Sequence, residues 1–185
     1  MNVTSYATPS FETRTEPDGK VELTVRGALC SAWARNLAYA FAHMRIDVRR
    51  GHAVRTAGGH WMGRLELMAP ARVDVRALDY AALCEQQAYG PPGVSLQIEQ
   101  LRFASVDDHG GSLRLGVREA RDCVGLLAAL LGYVELLGLV PVELALETHG
   151  GRVFDDLWLR SSEGGAPAVE VPHLIARRLA PFLAA

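Results

Sequence analysis

The sequence predicts an α+β chain made of two tandem repeats, with antiparallel sheets and helices on one face of them. Three observations predict it. Val142, Leu144 and Leu146 alternate with Glu143, Ala145 and Glu147, the period of a half-buried strand. Leu126, Leu130, Val134 and Leu137 fall on one side at helical spacing. The chain also repeats itself. Thr56-Ala57-Gly58-Gly59 returns as Thr148-His149-Gly150-Gly151, and at the same offset Val21, Leu23, Val25 and Arg26 return as Leu113, Leu115, Val117 and Arg118. In the helix the offset is one residue longer: Cys30, Trp33, Leu37, Phe41 and Met44 match Cys123, Leu126, Leu130, Val134 and Leu137. A one-residue slip in the following strand reconciles the two.

In order, the pattern predicts strands at 11–15 and 21–25 around the turn Pro17-Asp18-Gly19, then a helix over 29–45. Strands at 46–56 and 61–68 flank Gly58-Gly59, and a second helix covers 73–87 from about Asp74. Tyr89-Gly90-Pro91-Pro92-Gly93 reads as a linker. The order then restarts with a strand over 94–106, bent near Gln100, and another at 113–117. Asp122 is placed to cap the long helix, and Gly138 to stop it. His149-Gly150-Gly151 turns the last hairpin, in which Asp155 interrupts the buried row of Val153, Leu157 and Leu159. A terminal helix covers 169–183. The repeats are bounded as 9–90 and 94–185.

Composition limits the function classes. Of 185 residues, 49% are hydrophobic and 22% charged, enough to bury a core. A net charge of -2 gives no case for nucleic acid. The uncharged run 123–134 is too short to cross a bilayer, so no membrane partner is expected. The start of the chain has no secretory pattern, and three cysteines without motif spacing suggest reduced thiols and a cytoplasmic location.

Residues 121–160, with their helix, strand, turn and strand, resemble the core of an ACT domain, a small ferredoxin-like regulatory module. The resemblance rests on Asp122-Cys123-Val124-Gly125-Leu126-Leu127: an acid, two further residues, glycine and two aliphatics. Val124 stands where that family usually has proline. Each repeat here reads β-β-α-β-β-α, whereas an ACT domain reads βαββαβ. The resemblance therefore implies ferredoxin-like, ACT-like repeats that are permuted or that exchange edge strands.

It also implies a binding loop for an amino acid or similar carboxylate, made of Arg118, Arg121, Asp122, Cys123, Val124 and Gly125. Free N–H groups at a helix start attract a carboxylate, and glycine allows close approach. The arginines would hold the carboxylate and Asp122 an ammonium; the plainer reading is a cap with surface arginines. Leu29-Cys30-Ser31-Ala32, at the matching place in the first repeat, has neither acid nor glycine.

Cys30 and Cys123 stand at helix starts, where a dipole lowers a thiol pKa, although small buried cysteines are common. Arg50 and His52 share strand parity with Val48 and Val54, which means either a small pocket or a bulge. His43, His52 and His60 lack metal spacing, and no cofactor is expected. Phe154 and Trp158, and the small back of the helix at Ala128, Ala129 and Gly132, need cover from the other repeat or a second chain. The expected function is a non-catalytic, amino-acid-binding regulatory protein, as a homodimer. The alternative is a cofactor-independent enzyme of the cyclase or monooxygenase kind, with a pocket near His52, Arg50 and Trp61.

Overall fold

The structure is a computed structural model and describes residues 8–86 and 97–183. The proposed linker at Tyr89–Gly93 and the boundary between repeats therefore lie outside the described residues. The elements run β1 (Ser10–Thr15), β2 (Val21–Gly27), α1 (Trp33–Met44), β3 (Asp47–Arg55), β4 (Trp61–Met68), α2 (Tyr80–Glu85), β5 (Gln100–Val106), β6 (Ser112–Arg121), α3 (Leu126–Glu135), β7 (Leu139–His149), β8 (Arg152–Ser161) and α4 (Val171–Leu179). The fold is α+β, with one eight-stranded sheet in the order β1-β2-β4-β3-β7-β8-β6-β5.

Every pairing in that sheet is antiparallel. Strand order from the outer edge inward is the same in both halves, and the inner strands β3 and β7 pair with each other. The long strand before β6 does not close the first half: β5 pairs only with β6, at the far edge.

Period-two alternation puts one row of side chains under the helices. Leu23, Leu65, Leu144, Leu157 and Leu115 lie in it, all buried. Helices α1 and α3 pack on this face and against each other, with Arg35 at the start of α1 paired to Glu135 at the end of α3. Ala128, Ala129 and Gly132 are buried, so the small back of α3 is covered within the chain. Leu130 and Leu131 are fully buried, and each contributes about 1.5–3 kcal/mol by leaving water.

The two long helices open alike. Trp33 N–H bonds Cys30 C=O and Asn36 N–H bonds Ala32 C=O; Leu126 N–H bonds Cys123 C=O and Ala129 N–H bonds Gly125 C=O. They stop through residues that leave helical backbone. Arg45 has φ 57 and Gly138 φ 69. Around them Ile46 N–H closes on Phe41 C=O and Gly138 N–H on Glu135 C=O.

Three elements depart from expectation. The helix expected over 73–87 breaks at Leu78. Asp74 accepts from Arg76 N–H to start a short turn, and Asp79 accepts from Ala82 N–H to start α2, so two capping carboxylates make two pieces. In β3 the register shifts between Val48 and Arg50; this bulge resolves the parity conflict by turning Arg50 and His52 to the open face of the sheet. In β6 the strand does not end at Val117 but runs on to Arg121, through a shift between Arg118 and Ala120 with Glu119 at φ 55. Among the described residues no helix is long and apolar enough to cross a membrane.

Candidate functional site

The expected binding loop divides in two because β6 is longer than its pattern suggested. Arg118 is a strand residue on the open face, where both Nη2 contacts go to Asp156, at 2.7 and 2.9 Å. Its Nη1 donates to the carbonyls of Val117 and Asp155. Arg114 binds the same Asp156 carboxylate through Nε and Nη2, and its guanidinium lies 5.1 Å from the Trp158 ring centre. The two guanidiniums hold Asp156 below the usual carboxylate range, although its partial burial works the other way. Arg121 ends β6 opposite Arg152. The structure thus does not bring Arg118 to Asp122.

Asp122, Cys123, Val124 and Gly125 do stay together, in the turn from β6 into α3. Asp122 N–H bonds Gly151 C=O, tying this turn to the β7–β8 hairpin. Asp122 does not cap the helix. Gly125 is the cap residue, at φ 92, and α3 has no side-chain cap. A glycine there adopts a left-handed backbone that side chains resist. The Asp122 carboxylate turns instead to Arg49, at 3.0 Å, a guanidinium that also meets Asp47 at 2.9 Å. Burial and the nearby Asp47 raise the Asp122 pKa, and Arg49 opposes them. Burial likewise raises the Cys123 thiol, so the thiol is not activated at this helix start.

Beneath the turn lies a cavity of about 50 Å³, bounded by Asp47, Asp122, the first turn of α3, Leu146 and Asp155. That volume admits a few waters or a small polar head group. Asp155 is 5% exposed, on the helix-covered face of the sheet. One of its oxygens accepts Glu147 N–H at 3.2 Å, and the other has no hydrogen bond among the described residues. Burial pushes this carboxyl up to about 7, with Asp122 and Asp156 adding to the rise against the Glu147 hydrogen bond and Arg118. On the opposite wall, the N–H groups of Leu127 and Ala128 find no acceptor among the described residues. One small space therefore has carboxylates on one side and helix N–H groups on the other.

Sequence reasoning did not include Asp155, Asp47 or Arg49 in this site. Asp155 left a signal, because it is a charge at a core-facing position. Asp47 and Arg49 left none, since only the pairing of β3 with β7 brings them there.

The other candidates separate. His52 is 58% exposed on the open face, and Trp61 is buried on the other, stacked edge-on against Trp33 at 5.1 Å. Arg50 reaches Glu147 at 3.4 Å. These three residues do not converge on one pocket. His52 instead shares Glu143 with His109: Nε2 of each ring meets one Glu143 oxygen, at 2.8 and 2.7 Å. Among the described residues no group of three His, Cys, Asp or Glu side chains is arranged to hold a metal ion. Cys84 is buried, and burial pushes its thiol up to about 12. No protein-family model, no curated protein and no solved structure matches this chain.

Proposed function

We propose that the chain is a non-catalytic regulatory module of two permuted ACT-like, ferredoxin-like repeats that binds an amino acid at the turn 122–125. The observation that carries this reading is the buried Asp155 carboxylate, one oxygen of which has no hydrogen bond among the described residues, across a cavity from N–H groups of α3 that have no acceptor among them. A zwitterion suits such a place. Its ammonium takes the place of the Asp155 proton, beside Asp122, and its carboxylate meets the positive end of the helix. The side chain of the ligand points outward, since the cavity takes only the head group.

The strand order supports the repeat reading. Moving the last strand of βαββαβ to the front yields the antiparallel order β1-β2-β4-β3, and β5-β6-β8-β7 follows it. The asymmetry supports the choice of the second loop. At the first helix start, Cys30 Sγ and Asn36 Nδ2 both donate to Cys84 C=O, so α2 fills that place. Association as a homodimer and a cytoplasmic location belong to the same proposal; Phe154 and Trp158, half-buried on the open sheet face, are the surface for a second copy.

Calorimetry tests the site. Titrating the parent with the common amino acids should yield saturable binding of at least one, with the amine-free acid of the same skeleton weaker by tenfold or more. Gly125→Leu should abolish binding, because a side chain resists a φ of 92 and a leucine there would stand on the cavity wall. Asp155→Asn should lower affinity for the amino acid more than for the amine-free acid. Equal binding by parent and Asp155→Asn, or none by the parent, would rule this function out.

A further inference from the structure

The seam between β3 and β7 has a second cavity at its other end, and its chemistry is reversed. Its volume is about 520 Å³, tenfold that of the acidic cavity. The walls are Arg55 and, from the turn that follows it, Thr56, Ala57 and Gly59 in the first half, with His109, Gly110, Val142 and Arg160 from the second. Neither Arg55 nor Arg160 pairs with a carboxylate among the described residues; Arg160 only donates to Gly165 C=O, at 3.4 Å. The turn adds hydrogen-bond donors. Thr56 N–H and Gly59 N–H are used within the hairpin, and those of Ala57 and Gly58 have no acceptor among the described residues.

His109 completes the wall. It holds φ 58, an uncommon backbone for a residue with a side chain, and its ring is 17% exposed. The Glu143 carboxylate binds Nε2 of this ring at 2.7 Å and Nε2 of His52 at 2.8 Å. That acid is engaged by two imidazoles and is not among the residues of the wall. The other acids of the loop, Asp107 and Asp108, are exposed and also stand outside it. Among the described residues the cavity is thus lined by two guanidiniums without a carboxylate partner, an imidazole, a hydroxyl and the Ala57 N–H.

We infer that this cavity binds the phosphate group of a small phosphorylated molecule, with Arg55 and Arg160 as its charged clamp. Guanidinium forks match the oxygens of a tetrahedral phosphate, and backbone N–H groups in a glycine turn complete such cradles. A phosphate occupies only part of 520 Å³, which leaves room for the molecule that carries it. The inference is independent of the amino-acid reading, because the two cavities share no residue.

The test is titration of the full chain, followed by phosphorus resonance and by calorimetry, with inorganic phosphate, glycerol phosphate and succinate. Glycerol phosphate should bind saturably, at least tenfold more tightly than succinate. Arg55→Gln and Arg160→Gln should each weaken it about tenfold, and the double variant should show no binding. Arg102→Gln, on the edge strand, should bind as the parent does. Inorganic phosphate as tight as the ester marks the free ion as the ligand and still supports the clamp. Succinate as tight as glycerol phosphate, or a folded double variant that binds like the parent, would overturn the inference.

Discussion

Asp155 and Gly63 occupy the same place in the two halves, since they stand two residues after the matching Val153 and Trp61 in the second strand of the inner hairpin. Where the first half has no side chain, the second has a buried carboxyl. This makes stability depend on pH in a definite direction. The folded chain holds the Asp155 proton up to about pH 7, whereas the unfolded chain releases it near the ordinary value of 3.8. Between those values the folded state binds more protons, so stability falls as pH rises and levels off above the folded pKa. Asp155→Asn has no proton to lose. Its stability relative to the parent should therefore grow by a few kcal/mol between pH 4.5 and pH 8. Urea denaturation of both proteins at the two pH values checks this, and a constant difference would mean that Asp155 is not protonated in the folded state.

At the level of elements, the same glycine explains how β3 and β4 meet. A Cβ built on Gly63 would come 2.7 Å from Ala53 Cβ and 3.1 Å from the His52 carbonyl oxygen. The glycine permits a backbone approach, and alanine there forces the strands apart. Gly63→Ala should cost about 1–3 kcal/mol, seen as a lower urea midpoint with an unchanged slope. Ala53→Gly in the same chain should recover part of that loss. The element boundaries that were legible in the sequence are those written in local chemistry: hairpin turns at Gly19, Gly59 and Gly150-Gly151, and the stop of α3 at Gly138. The extension of β6 through Arg118 was not legible. That run of charged residues has no buried period of its own and is strand because Phe154, Val153 and Arg152 pair opposite it.

At the scale of the whole molecule, the described residues share one core. Buried residues from α1, α3 and all but the outermost strands join in a single cluster across the β3–β7 seam. That continuity leaves the helix-covered face closed and the other face of the sheet open. Trp158 is half-covered there, by Arg114. If a second copy completes this face, light scattering at micromolar concentration should return twice the 20.1 kDa chain mass, and Trp158→Glu should return a monomer. A parent that scatters as a monomer would remove the homodimer from the proposal.

The sequence by itself determined the α+β class, the order of the strands and long helices and the helix-facing rows of side chains, because periodicity and turn chemistry are local properties. It also marked Asp155 as an exception and placed Gly125 at a helix start. Only the tertiary structure decided which charges meet. Asp47 and Arg49 join Asp122 through the pairing of β3 with β7, and Arg55 lines one cavity with His109 and Arg160 at the same seam. Those partners are far apart in the chain, and no local pattern records them. Both cavities therefore stayed invisible until the two halves of the sheet were joined.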